Sequence, residues 1–462
     1  MHLHFIKFCR ALVMLAISST VFAAELVVGD GGSYTNIQAA VDAASEGDVV
    51  LVKPNSDPKG WRENIIINTN NITLRGDADA AKANLYDQVC PVVYLDGCET
   101  LAASESCGAS VVTVNGSGVS IEKIFLRHGY IIFNDSANNS VLTGSCVAGY
   151  KAEIIRTSSP GPTGITISNN VFQGGNSKSI DIYGDNHVVK NNQLFAVDNG
   201  IMVSGDGGII ANNSIYQSND CSIDYAGDNG VIENNLILSG DDGIDYDGDN
   251  PTIRGNVVEG MADNNMDVNC SSCTGGLISD NRIVGSVDDS EGICVSSGVA
   301  MTIENNFVIF ASEHGIEFSG QDSTIRNNTI MRSGSEGTSE SCLYISGSGN
   351  NTISGNTIKY CSYIGIKQSG GDNNTYVNNT IIGSGRTGIK VGNGSDTTID
   401  SNTIKNCQGE GIANHATDTV ITENTVTGNR IDICNDNSIA TFTGNSNATG
   451  GTSTTCVVEQ MD

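Results

Sequence analysis

The feature that most constrains this chain is a recurrence. Asn170, Asn192, Asn213, Asn235, Asn256, Asn281, Asn306, Asn328, Asn356, Asn379, Asn402, Asn424 and Asn445 each close a short apolar segment. The mean step between them is about 23 residues, a period that signals a solenoid. Val231-Ile232-Glu233-Asn234-Asn235-Leu236-Ile237 is a typical unit. The pieces have strand length, the bends are rich in Gly, Asn and Asp, and no helical pattern falls inside the repeat, so the solenoid is built of β-strands. Parallel strands then stack turn on turn at about 4.8 Å, like residue over like. An Asn at the same bend of every turn can bond its neighbours' backbone, which makes the series a structural ladder.

Upstream of the array the order is a strand at 25–28, an amphipathic helix and an apolar strand at 49–52. The helix is expected over 34–44, with Ile37, Ala40, Val41 and Ala44 on one face and Ser33 or Thr35 as N-cap. ENIIINTNNITLRGD and SVVTVNGSGVSIEKIFLRHG follow. This opening resembles that of secreted right-handed β-helix proteins of the pectin-lyase-like superfamily. The resemblance implies an all-β fold, a single right-handed parallel β-helix solenoid with a short N-terminal capping helix. It leaves activity open, since the superfamily holds lyases, hydrolases, esterases, epimerases and non-catalytic binders. The solenoid is expected over 24–445, with its cap at 25–48, a Cys-containing insertion at 77–108 and a C-terminal cap or tail at 446–462. A second loop, near 334–341, is expected to project from the rod.

Residues 1–23 read as a secretory signal peptide: Lys7 and Arg10 precede a short apolar core, and small residues end it. No later stretch is long and apolar enough to span a membrane. The protein is therefore expected to be secreted or periplasmic, and monomeric. Of its 14 cysteines, Cys9 leaves with the leader. Disulfides are expected among the rest, with a thiol left over. Cys434 and Cys456 are placed to staple the C-terminal end. Cys270-x-x-Cys273 lacks a second pair and a nearby His, so disulfide chemistry is favoured there over zinc.

The chain carries 52 Asp+Glu against 23 Lys+Arg, a net charge of -29. Such a surface repels nucleic acid and suits divalent cations. The acids are patterned. A second strand in each turn reads Gly-apolar-x-apolar, and alternation points x outward. Read turn by turn, x is Asp181, Met202, Asp224, Asp245, Asp267, Cys294, Glu317, Tyr344, Lys367 and Lys390. A second series runs Asp198, Asp220, Asp241 and Asp263, with Asp242 between the two columns. Stacked like charges demand protonation or a counter-ion, and no Lys or Arg enters these columns before Lys367. Oxygen donors without His favour calcium, with Asp220, Asp224, Asp241, Asp245 and Asp267 as ligands. A third set, Asp185, Asp206, Asp228, Asp249 and Asp322, falls in turns and is read as structural. His314, beside Glu313 and Glu317, is an acid–base candidate, although a single exposed His is more often incidental. Tyr225, Tyr246 and Phe318 are expected to point inward.

Three activities fit the pattern. One is a calcium-assisted lyase or C5-epimerase on an acidic polysaccharide. Asp242, Asp245, Asp263 and Lys367 are its catalytic candidates; the base is open, since Lys367 and Lys390 share the column but lie several turns away, and Arg254 and Lys190 lie nearer in sequence but on another strand. A second is a glycoside hydrolase using paired Asp residues. Asp242-Gly243-Ile244-Asp245 resembles part of the Asn-Thr-Asp-Gly-Ile-Asp segment of polygalacturonase-type enzymes, and Asp263 matches one Asp of their Asp-Asp pair. Asn264 stands for the other, Glu291 replaces their Gly-His-Gly histidine, and their Arg-Ile-Lys motif is not found. The third is a non-catalytic extracellular glycan-binding or adhesion rod.

Overall fold

The computed structural model describes residues 23–57, 60–77, 83–85, 88–96, 110–148, 154–174, 177–269, 273–285, 291–435, 440–447 and 452–453. The expected leader lies outside these residues apart from Ala23, as do Cys456 and most of the expected C-terminal cap. Strands of three residues or a little more follow one another around a coil, and each pairs in parallel with the strand one turn above and below. This makes three sheets along the rod. The first has 18 strands and the second 16. The third runs from Ile65–Ile67 to Thr452–Ser453 and carries the acidic columns.

Short strands suffice because each turn buries one or two apolar side chains per sheet. Ile210, Ile232, Ile253, Ile278, Ile303 and Ile325 stack in register from the first sheet into the interior, all fully buried. Branched aliphatics suit such a stack, since their shape packs against the copy directly above.

The Asn ladder forms in full. From Asn192 through to Asn445, each Asn Oδ1 accepts from the backbone N–H of the ladder Asn one turn earlier, and Asn170 Oδ1 accepts from Ser145 N. Asn192 shows the complete set. Its Oδ1 takes the Asn170 N–H and Nδ2, both at 3.0 Å, and its Nδ2 gives to Ile167 O at 2.9 Å and Asn213 Oδ1 at 3.0 Å. All four side-chain positions are used, so a buried amide costs nothing here. The residue before each rung takes positive φ, as at Asn234 (55°) and Gly255 (65°). Asn and Gly tolerate that conformation, which accounts for the recurring Asn-Asn pair.

Tyr225 and Tyr246 point inward and stack, ring centroids 5.0 Å apart at 7°. Each hydroxyl takes a backbone N–H, from Gly208 or Gly230, and gives to Gly205 O or Gly227 O. Phe318 is buried as well. Asp185, Asp206, Asp228 and Asp249 form the expected turn ladder, each accepting the backbone N–H of the equivalent residue one turn later. Asp322 is not in it. It occupies the neighbouring positive-φ position (56°) with Asn229, Asn250 and Asn350.

The helix is Ile37–Ala43. Its N-cap is Asn36, whose side chain accepts from Ala39 N, rather than Ser33 or Thr35. Glu63 takes the next orphan N–H groups, those of Ile37 and Gln38, from another segment. Within 77–108, a small antiparallel pair, Ala83–Leu85 with Gln88–Cys90, departs from the coil. Tyr94–Asp96 then rejoins the second sheet against Phe125–Arg127. Disulfides join Cys90 to Cys146 and Cys342 to Cys361. Cys273 and Cys434 are also disulfide-bonded. Cys221, Cys294 and Cys407 are free.

Candidate functional site

Pairing on the third sheet sets Asp224 over Asp245 and Asp245 over Asp267, then continues through Cys294, Glu317, Tyr344, Lys367 and Lys390. The outward column read from the sequence is therefore a physical one. Gly243 matters at its base: a Cβ there would sit 2.2 Å from Asn265 O, so only glycine lets the turns close at this bend.

The second acidic series lies on the bend entering these strands. Asp263 N donates to Asp241 O, and Asp220 N to Asp198 O, which puts these residues one above another. Asp220, Asp241 and Asp242 each bring a carboxylate oxygen within 4.8 Å of the other two. An open depression of about 430 Å³ lies at the adjoining bends, its lining including Ala196, Gln217, Ser218, Asn219, Ser239 and Gly260. Three hard carboxylate donors, two exposed and one half-buried, form a donor set that fits calcium.

Burial raises the Asp245 carboxyl to about 6, with help from Asp224, Asp267, Asp242 and Asp247. Asp224 and Asp267 are raised as well, first by burial. Asp242 is raised by burial and by Asp263, although its Oδ1 accepts the Asn264 N–H at 3.2 Å. Asp267 Oδ1 is buried without a hydrogen-bond partner. Four neighbouring acids thus share one cause: partial desolvation among like charges. One cation was missed by reading columns alone. Lys178, from the loop before Asp181, reaches that carboxylate at 3.4 Å and lowers the Asp224 carboxyl in opposition to its burial.

Lys367 is not brought to this group. It stands five register steps from Asp245, about 24 Å at the spacing of stacked strands. Around it is a second group. His314 is buried, contrary to the exposed histidine expected. Its Nδ1 accepts the Ser341 N–H at 3.1 Å, and its Nε2 lies 3.0 Å from Glu340. Tyr344 stacks on its ring at 4.5 Å. Burial lowers the imidazole, so the neutral ring donating to Glu340 is favoured. Glu291 is pushed up to about 8 by burial and by its hydrogen bond to Glu313. Glu340 was missed because it lies in the 334–341 segment taken for a projecting loop. That segment instead folds back on the rod, with Gly334 N on Ala311 O and Glu336 N on Ser312 O.

The family model for the right handed beta helix region matches residues 154–308 and 291–458, and the chain belongs to that family. No curated protein matches the chain. Among solved structures, it is similar to a mannuronic acid specific polysaccharide family 6 lyase from human gut microbiota, at 11% identity and TM-score 0.47, covering 78% of this chain and 87% of that one. A PL6 alginate lyase bound to a trisaccharide is 14% identical at TM-score 0.40, over 93% and 86%. The A-module of a mannuronan C-5 epimerase from Azotobacter vinelandii is 15% identical at TM-score 0.35, over 75% and 91%. Among the described residues, no helix is long and apolar enough to cross a membrane.

Proposed function

We propose that this protein is a secreted or periplasmic enzyme that acts on an acidic polysaccharide by lyase or C5-epimerase chemistry. One observation carries the reading: the in-register Asp224–Asp245–Asp267 stack stands beside the oxygen cluster of Asp220, Asp241 and Asp242. Asp220, Asp241 and Asp242 would hold calcium. Bound there, the ion would offset a uronate carboxylate and so make the neighbouring C5 proton more acidic. Asp245 is the base for that proton, because a carboxyl raised to about 6 is a stronger base than a free aspartate yet is ionised at neutral pH. In elimination, the C5–H electrons form the C4–C5 double bond and the C4–O bond breaks. Asp245, protonated by that step, returns the proton to the departing oxygen. In epimerisation a proton returns to the other face of C5 instead. The disulfides support an oxidising compartment.

The test is a glycan panel assayed with calcium and with chelator. Ultraviolet-absorbing unsaturated ends indicate elimination, and solvent-derived label at C5 indicates epimerisation. New reducing ends without unsaturation move the protein to hydrolysis. That second reading is favoured by the Glu291–Glu313 pair, which keeps a protonated carboxyl near neutral pH. No change in any glycan leaves the binding rod.

A further inference from the structure

The second sheet changes character toward its far end. Its strands Thr329–Met331, Thr357–Lys359, Thr380–Ile382 and Thr403–Lys405 pair in register. Each buries its middle residue and turns the other two outward. One outward row is threonine throughout, and the other reads Met331, Lys359, Ile382 and Lys405. The bend that follows carries Phe310, Arg332, Tyr360 and Gly383 one above another. Phe310 N donates to Met331 O, Arg332 N to Lys359 O, Tyr360 N to Ile382 O and Gly383 N to Lys405 O. No acid occupies any of these positions, in a chain of net charge -29.

Two observations set this bend apart. The first is strain without burial. Phe310 and Tyr360 are 44% and 53% exposed, yet both sit at positive φ, 65° and 57°, as Arg332 does at 55°. The next turns hold Gly383, Asn406 and Gly428 in the same column, residues that take this conformation readily. A bulky aromatic there is strained, and little burial offsets the strain, which points to a role outside the fold. The second is charge. Among the described residues, no carboxylate forms an ion pair with Arg332, Lys359 or Lys405. Arg332 lies over the Phe310 ring, 5.5 Å from its centre, which positions the guanidinium without neutralising it. Tyr360 rests against Gly383, where a Cβ would come within 3.0 Å of its Cδ1, so the glycine gives the ring its seat.

We propose that Phe310, Arg332 and Tyr360, with Lys359 and Lys405, form a surface site for an acidic polysaccharide on the second sheet, separate from the acids of the third. The chemistry is complementary. Aromatic faces pack on sugar rings, the guanidinium fork takes a carboxylate by two bonds, and the ammonium groups meet further carboxylates along the polymer. Phe310 and Tyr360 lie two turns apart, as do Lys359 and Lys405, about 10 Å at the spacing of stacked strands. The site therefore follows the rod instead of marking one point on it. The proposal rests on the acidic-polysaccharide reading and adds a second place for the polymer. This face holds the polymer against the rod and takes no part in proton transfer.

The experiment reads binding apart from turnover. In chelator, affinity for polymannuronate, polygalacturonate and neutral dextran is measured by calorimetry, and self-association by light scattering. Arg332→Ala with Lys359→Ala and Lys405→Ala should weaken polyuronate binding at least about ten-fold. Tyr360→Asn should weaken it several-fold while melting temperature holds or rises, because Asn relieves the strained backbone. Dextran should bind neither form. No polyuronate binding by the parent, affinity within two-fold of the parent in both folded variants, or equal binding of dextran overturns the site. So does self-association that the substitutions abolish while polyuronate binding stands, which gives the face to a second copy of the chain. Loss of polyuronate binding on substitution, with no turnover of any glycan by the native chain, upholds the site and overturns the enzymatic reading alone. Turnover of an acidic glycan, with polyuronate binding indifferent to the substitutions, does the reverse.

Discussion

Two columns of this solenoid share one geometry and differ in one atom type. At one corner the Asn ladder stacks amides in register, and on the third sheet Asp224, Asp245 and Asp267 stack carboxylates. An amide gives and accepts, so each rung satisfies the next. A carboxylate only accepts, so stacking leaves each acid in its neighbours' field. The first column therefore holds the rod together and can be fully buried. The second opposes stacking, stays half-exposed and stores a demand for protons or cations. A solenoid amplifies whatever residue is repeated, and the sign of the effect depends on whether that residue is complementary to its own copy.

The difference can be broken from either side. The largest effect is expected on turnover. Asp245→Asn should cut it by about 10²–10⁴-fold under the proposed chemistry, measured on whichever glycan responds. The same change should leave thermal stability equal or higher, since it turns a repelled rung into a neutral one. Asn256→Asp, the opposite exchange in the ladder, should destabilise the fold by on the order of 3 kcal/mol in denaturant titration. It removes the donor that serves Ile232 O and Asn281 Oδ1 and places a buried charge there. Asn256→Ala should cost a similar amount, by stranding the Asn235 N–H and Nδ2.

Next comes pH. Asp245 is raised in the folded state to about 6, against about 3.9 in an unfolded chain. The folded protein therefore binds the proton more tightly. The resulting stabilisation is complete below about pH 4 and is lost as pH rises through about 6. Melting temperature in chelator should fall across that window, the fall should shrink in Asp245→Asn, and calcium at neutral pH should restore part of it. The smallest effect is expected from Tyr246→Phe, about 1 kcal/mol, because only the hydroxyl bridging Gly230 N and Gly227 O is lost.

Much of the fold was legible because repetition makes it so. One Asn per turn fixed the register, and register with strand alternation gave the Asp224–Asp245–Asp267 column directly. What sequence reading missed lies where the repeat is interrupted. Lys178 reaches the column from a loop, and Glu340 enters from a segment that folds back instead of projecting. Neither has a counterpart one turn away, so periodicity says nothing about them. Asn36 was passed over as helix cap for neighbours of similar propensity, and the choice is settled by Glu63 docking from elsewhere. Asp322 was misplaced by one position, since two adjacent bend positions both accept Asp and only backbone φ separates them.

The ladder also gives the rod an electrical direction. Every Asn Oδ1 faces the preceding turn and every Nδ2 gives to the following rung, so the amide dipoles line up head to tail along the axis. Aligned dipoles polarise one another, and each bond strengthens those above and below it. A rung in the middle, such as Asn281, is thus worth more than the same rung at either end. The rod should resist loss of its last turns better than a single break at its centre.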